Sequence, residues 1–295
     1  MSNIDLSLAA PPEVVETLDY EEILAAMIAD LQSRDATFNA LVESDPAYKV
    51  LEVCAYRELL IRQRVNDAAR SVMLAYAGGS ELDHLAALYG VQRLVVDAGD
   101  PDAAPPVPAT YESDSALRAR ILLAPEGLSV AGPIGAYKYH ALSAAADVLD
   151  VDVGSPSAGQ VLLTVLSATG DGTPSAALLA SVEEAVTAED VRPLTDQVSV
   201  QAATIVPYEV SATLTFFEGP DAETIRQAAE AACSSYVQSS HRLGRDVTLS
   251  GLYAALHQPG VQNVALASPV ADIVVSGQQA AWCSSLSVVA GGIDE

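Results

Sequence analysis

The sequence predicts an α+β protein, in which an N-terminal helical bundle arm precedes two small α+β domains with helices packed on short mixed or antiparallel sheets. Three observations predict this class. Apolar residues recur at helical spacing in the first 90 residues, short β-type runs alternate with helical segments after residue 147, and a proline-rich stretch separates the two regions. Half of the 295 residues are apolar, which is typical of a globular chain.

Two helices are predicted before the proline-rich stretch, followed by a short third one. Asp19 and Glu22 resemble a capping box, and apolar residues follow at helical spacing. Asp45 and Pro46 predict the start of a long helix at about 46–77, because Asp caps free amides and Pro suits the first helical position. The short helix follows a Gly-Gly stop. A helix of roughly 30 residues extends about 45 Å, and its apolar stripe needs a partner along that length.

That stripe is the candidate functional surface. Arg57, Arg62, Arg64 and Arg70 form a basic cluster on the same helix of an acidic chain. Two interpretations stay open: pairing within the helix, as for Glu58 and Arg62, or contact with an acidic partner helix. The predicted helix-bundle interface consists of Val50, Val53, Cys54, Arg57, Ile61, Arg64, Val65, Ala68, Val72 and Tyr76.

Residues 97–113 separate the helical region from the rest of the chain. They are rich in proline and lack a periodic pattern. The predicted domains are a helical region at 1–96, a semi-extended Pro-rich linker at 97–113, an α+β domain at 114–204 and a C-terminal α+β domain at 205–295. Helices are predicted at 117–125, 134–146, 173–190, 221–239 and near 252–256. Strands are predicted at 148–153, 160–167, 196–203, 208–217, 261–267 and 271–276, with a final strand and a loose acidic tail from residue 283.

Charge and composition argue against several classes of function. With 14 basic and 39 acidic residues the net charge is -25, which disfavours binding to nucleic acid or to a membrane surface. The sequence contains no run of about 18 apolar residues, so no transmembrane helix is predicted. The N-terminus lacks a basic region and an apolar core, so no secretion signal is predicted. Three widely spaced cysteines indicate buried or semi-buried thiols in a reduced compartment.

No motif for chemistry is found, so the prediction is a protein that is not an enzyme and has no cofactor, metal or small-molecule substrate. The four histidines are scattered and no nucleophile elbow or P-loop is present. Asp147, Asp150 and Asp152 raise the possibility of a cation site, but the EF-hand spacing fails and a solvated sheet face is favoured.

Six stretches of the sequence have the pattern of a known family, at residues 43–94, 117–121, 132–144, 148–153, 191–200 and 260–273. The N-terminal stretch 43–94 and the VRPLTD block that opens 191–200 are the most specific of them. In these stretches the chain resembles the J-type baseplate assembly proteins of contractile phage tails and of the R-type phage-tail-like bacteriocins, or tailocins.

This resemblance implies a structural baseplate wedge protein that helps to trigger sheath contraction. Residues 42–76 would supply the bundle helix, and roughly 200–295 would link neighbouring wedges into a ring. Implied partners are a second copy of the chain, a J-associated wedge protein, and sheath-initiating and hub components. Assembly would occur in the bacterial cytoplasm, with the protein resident in the released particle. The alternatives are a cell-wall-acting enzyme of the same particle and a cytoplasmic assembly adaptor that is absent from finished particles.

Overall fold

The computed structural model describes residues 14–219 and 221–294. This part of the chain is α+β, as predicted, with an N-terminal helical region followed by helices and strands in small sheets. The chain forms two compact units. The first consists of Met1–Gln92 with Asp114–Arg118, and the second of Arg93–Ser113 with Ala119–Glu295.

The first unit is helical. Asp19 caps the first helix, because its Oδ1 accepts hydrogen bonds from the amides of Glu21 and Glu22 at 2.8 and 3.3 Å. Pro46 is the first residue of the long helix, so both predicted helix starts are confirmed. The capping predicted for Asp45 is wrong, because its side chain makes no capping bond and its Oδ2 accepts the amide of Val42 instead. The elements are α1 (Tyr20–Arg34), a 3-10 turn (Ala36–Phe38), α2 (Pro46–Ser71) and α3 (Gly79–Ala87).

The long helix is shorter than the sequence predicts. α2 ends at Ser71, about 39 Å from its start, and not at residue 77. The chain then continues in turns, where Arg118 of α4 (Asp114–Gly127) donates Nε to the Leu74 carbonyl and Nη2 to the Ala77 carbonyl, both at 2.7 Å. These carbonyls are held by a side chain more than 40 positions away, which helical periodicity cannot reveal.

The second unit begins with a hairpin where a semi-extended segment was predicted. β1 (Val95–Asp97) pairs antiparallel with β2 (Thr110–Tyr111), and an isolated bridge joins Asp100 to Val107, so residues 97–113 fold back on themselves. The buried Glu112 accepts the amide of Leu94 at 2.9 Å and forms an ion pair with the buried Arg120 of α4. This pairing fastens the hairpin within its unit. The domain boundary at this segment stays a prediction.

A three-stranded mixed sheet follows in the second unit. Its order is β3-β4-β5, with β3 antiparallel and β5 parallel to the central strand. Two helices cover it through a core that includes Tyr137, Val182 and Leu163. The elements, all predicted within a few residues, are α5 (Ile134–Ala144), β3 (Val148–Gly154), β4 (Gln160–Ser167), α6 (Ala176–Thr187) and β5 (Gln197–Ala202).

A second mixed sheet completes the unit. The central strand, β6, pairs antiparallel with β7 and parallel with β8. Its core includes Phe216, Cys233 and Leu252, all almost fully buried. The elements are β6 (Thr204–Phe216), α7 (Ala222–Ser240), α8 (Leu249–Leu256), β7 (Val261–Ser268) and β8 (Gln279–Ile293).

The strand predicted at 271–276 is wrong. Only Ile273 forms a bridge, to Val247, and the amide of Val275 donates to Asp246 Oδ1 at 2.8 Å. β7 pairs with β6 only from Ser211 to Phe216, and beyond Ser268 the chain turns to residues 246 and 247 and no longer follows β6. The final strand is instead long: β8 has 15 residues and reaches into the predicted acidic tail.

The two sheets of the second unit meet around Asp150. Its Oδ2 accepts the amide of Leu243 at 3.1 Å, and Arg242 donates to the Leu149 carbonyl at 2.6 Å. Asp150 is therefore half-buried against the C-terminal sheet region, and the solvated face predicted for it is corrected. The sequence could not show this contact, because it joins residues 93 positions apart.

Candidate helix-bundle interface

α2 packs on α1 through one of its faces. Ile23 and Leu24 of α1 are buried with Ala55 of α2, which has no exposed surface. At the far end of this face, Asn66 exchanges two hydrogen bonds with the backbone of Glu16, at 2.8 and 3.0 Å. The side chains on this face of α2 therefore have their packing and hydrogen-bond partners inside the first unit.

The opposite face of α2 is apolar and exposed. Val50, Val53, Ile61, Val65 and Val72 are between 57 and 68 % exposed. An isolated exposed valine is ordinary, but a continuous stripe of apolar side chains along one helix marks an interaction surface. We call the ten predicted residues the α2 stripe.

The structure brings most of the α2 stripe onto a single helix face. Eight of its ten residues lie within α2, and all eight are exposed. Val72 is the C-cap residue, and Tyr76 lies in the following turns, where it is half-buried. The interface assignment itself stays a prediction for these residues.

Two exposed residues that flank the stripe were not among the ten. Tyr56 is 53 % and Leu60 is 43 % exposed. Leu60 follows Val53 by seven residues, so its heptad spacing was a signal in the sequence. Tyr56 had no such signal, because only the position of α1 shows that this side of α2 remains open.

The arginines of α2 differ in their surroundings. Arg62 pairs with Glu58 at 2.6 Å and with Glu16 at 3.4 Å, so the pairing predicted within the helix is present. Arg57 and Arg64 are exposed, and neither side chain has a hydrogen bond or ion pair in the described part of the chain. They therefore remain available to a partner.

Within residues 14–219 and 221–294, no group of three or more His, Cys, Asp or Glu side chains could hold a metal ion. Burial raises the pKa of the Cys233 thiol to about 11, so this thiol is protonated near neutral pH. Cys54 is exposed, which corrects the expectation of a buried or semi-buried thiol.

No helix within residues 14–219 and 221–294 has both the length and the apolar character that a membrane span needs.

Comparison with known proteins decides the family. Family models described as the Baseplate J-like N-terminal domain, the Baseplate J-like central domain and the Baseplate J-like protein C-terminal domain match residues 43–100, 129–202 and 208–289. Baseplate protein J of Escherichia phage P2 is 50 % identical over 302 residues, covering all of both chains. This chain belongs to the baseplate J family. Its predicted role as a structural baseplate component of a contractile injection machine is confirmed.

The family assignment also places other baseplate proteins among the partners of this member of the J family. A chain in the cryo-EM structure of the anti-feeding prophage baseplate, 6-fold symmetrised, is similar with a TM-score of 0.43 and 16 % identity. That similarity covers 62 % of this chain and 44 % of the other, so the matched part spans less than half the length of that chain.

Proposed function

We propose that this chain is a wedge component of the baseplate and that the α2 stripe packs in a helix bundle with partner wedge proteins. The observation that carries the proposal is the exposure of the stripe. α1 covers only the face around Ala55, and the opposite face exposes valines and an isoleucine along almost the whole helix. Burying that surface against other helices is favourable by about 25 cal/mol per Å² of apolar area.

The proposed partners are a second copy of the chain, a J-associated wedge protein, and sheath-initiating and hub components. In this proposal the C-terminal region, roughly 200–295, links neighbouring wedges into a ring. The ring holds the baseplate in its ready state and rearranges when the sheath contracts, as a bistable element. The role is structural and involves no catalysis. Assembly takes place in the bacterial cytoplasm, and the protein stays in the baseplate of the released phage or tail-like particle.

The bundle interface is tested by placing carboxylates on the stripe. We expect an Ile61→Asp/Val65→Asp double variant to fold with a free energy of unfolding within about 0.5 kcal/mol of the wild type, because both side chains are exposed. We expect the same variant to be absent from purified particles, because a bundle would bury two carboxylates where two apolar side chains pack in the wild type. Immunoblotting of particles purified from a complemented deletion strain measures incorporation.

A Val42→Asp/Leu88→Asp variant is the matched control. Both residues belong to the first unit, are exposed by 55 and 79 % and lie outside the stripe. We expect this control to be incorporated at the wild-type level. Normal incorporation of the Ile61→Asp/Val65→Asp variant would contradict the bundle assignment.

A further inference from the structure

α2 is positively charged in an otherwise acidic protein. Its 26 residues include five basic and three acidic side chains, a net of +2, whereas the whole chain has a net charge of -25. A helix with this charge attracts an acidic surface.

The positive charge of the stripe lies in its centre. Val50, Cys54, Arg57, Ile61, Arg64 and Ala68 follow one another at alternating intervals of four and three residues. This is the spacing of residues that face a partner helix in a coiled coil. Arg57 and Arg64 occupy equivalent positions one heptad apart, with Ile61 between them.

The helix supplies no neutralising carboxylate for these two arginines. Glu58 pairs with Arg62 at 2.6 Å and Glu52 pairs with Lys49 at 2.9 Å. The third carboxylate of α2, Asp67, accepts a hydrogen bond from the Gln63 amide at 2.8 Å. Charged groups that become buried in an interface need a partner of opposite charge.

A second copy of α2 does not provide that partner in a symmetric pairing. A parallel pairing in register places Arg57 opposite Arg57 and Arg64 opposite Arg64. An antiparallel pairing centred between them places Arg57 opposite Arg64. Both arrangements bring like charges together, and like charges in an interface suppress that pairing.

We infer that the α2 stripe accepts a helix from a different protein, whose seam is apolar and whose Asp or Glu side chains recur one heptad apart to meet Arg57 and Arg64. Two copies of the chain associate through this stripe only after the acidic helix has bound, because its carboxylates remove the repulsion between the arginines. The inference rests on the proposed bundle and adds the chemistry of its first occupant.

Two synthetic helical peptides of about four heptads test this inference. Both peptides have leucine at the positions that face the partner helix. At the positions that flank these leucines, one peptide carries Glu and the other carries Lys. Fluorescence anisotropy measures their binding to the full chain. We expect the acidic peptide to bind the wild type at least about tenfold more tightly than the basic one. An Arg57→Glu/Arg64→Glu variant should reverse this preference.

A Lys49→Glu/Arg70→Glu variant is the control. It makes the same change of charge on the same helix, at two positions outside the α2 stripe. It should keep the preference of the wild type. Circular dichroism verifies that both variants fold. An Arg57→Leu/Arg64→Leu variant should lose the preference and form a larger species in light scattering, which an added Ile61→Asp substitution removes.

Equal binding of the two peptides to the wild type, or binding of neither, overturns the inference of an acidic occupant. A preference for acid that survives in the Arg57→Glu/Arg64→Glu variant overturns it as well, because the arginines would then not be its cause. The proposed bundle is judged separately, by incorporation of the Ile61→Asp/Val65→Asp variant into particles. Failure of one proposal is therefore distinguishable from failure of the other.

Discussion

The side chains of the three cysteines lie in three different environments. Cys54 is exposed on the α2 stripe, Cys283 is half-buried in β8, and Cys233 is fully buried in the core of the C-terminal sheet. Burial raises the pKa of Cys283 and raises that of Cys233 to about 11. Since the thiolate is the reactive species, these environments rank the three cysteines by reactivity.

We predict that N-ethylmaleimide at pH 8 labels Cys54 first and leaves Cys233 unlabelled until the chain is denatured. With a pKa of about 11, roughly one Cys233 in a thousand is a thiolate at that pH. Peptide mass spectrometry locates the label, and a Cys54→Ser variant identifies the fast site. If the α2 stripe is buried in the baseplate, Cys54 should be protected in purified particles. Equal labelling in the free chain and in particles would contradict the proposed bundle.

At the scale of secondary-structure elements, α2 uses its two faces differently. Ala55 is fully buried against α1, in the same apolar cluster as the buried Leu24. Cys54, the preceding residue, is exposed. Neighbouring positions on this helix therefore have opposite tolerance to an increase in volume.

We predict that Ala55→Leu lowers the free energy of unfolding by about 1–3 kcal/mol, because the added atoms push α1 away from α2. Cys54→Leu is the matched variant, since it introduces the same side chain one position earlier. It should change stability by no more than about 0.5 kcal/mol. Urea denaturation followed by far-ultraviolet circular dichroism compares the two. Equal destabilisation by both variants would show that the packing of α1 on α2 is assigned to the wrong face.

At the scale of the whole molecule, the second unit is built around two central strands. β4 is flanked by β3 and β5, and β6 is flanked by β7 and β8. β6 pairs with β8 along its 13 residues and with β7 from Ser211 to Phe216, and its inward side chains belong to the core cluster of this sheet. Opening this strand requires the loss of that core.

We predict that amide hydrogens of β6 exchange more slowly than those of residues 271–276 by more than about tenfold. The reason is that the second segment contributes one bridge and a few local hydrogen bonds, whereas exchange in β6 requires disruption of the sheet. Hydrogen–deuterium exchange with mass spectrometry measures both segments in one experiment. Peptides from α8 serve as an internal reference. Slow exchange in 271–276 would restore the strand that the sequence predicts there.

Local rules were sufficient for most elements of this fold. Asp19 and Pro46 marked helix starts, and alternating residues marked β3 and β4, because capping and side-chain periodicity depend only on near neighbours. The stripe of α2 was visible for the same reason. The resemblance of the N-terminal stretch and the VRPLTD block to one family provided the role in a baseplate, which spacing alone does not contain.

Contacts between residues far apart in the chain set the other features of the fold. Arg118 holds the carbonyls that follow α2, and Asp150 receives an amide from the C-terminal sheet region. Residues 271–276 lie outside the sheet and bond instead to Asp246 and Val247. The position of α1 decides which face of α2 stays open. Local sequence patterns therefore predict most elements and the apolar stripe, whereas long-range contacts set where the elements end and what covers them, because burial depends on residues far apart in the chain.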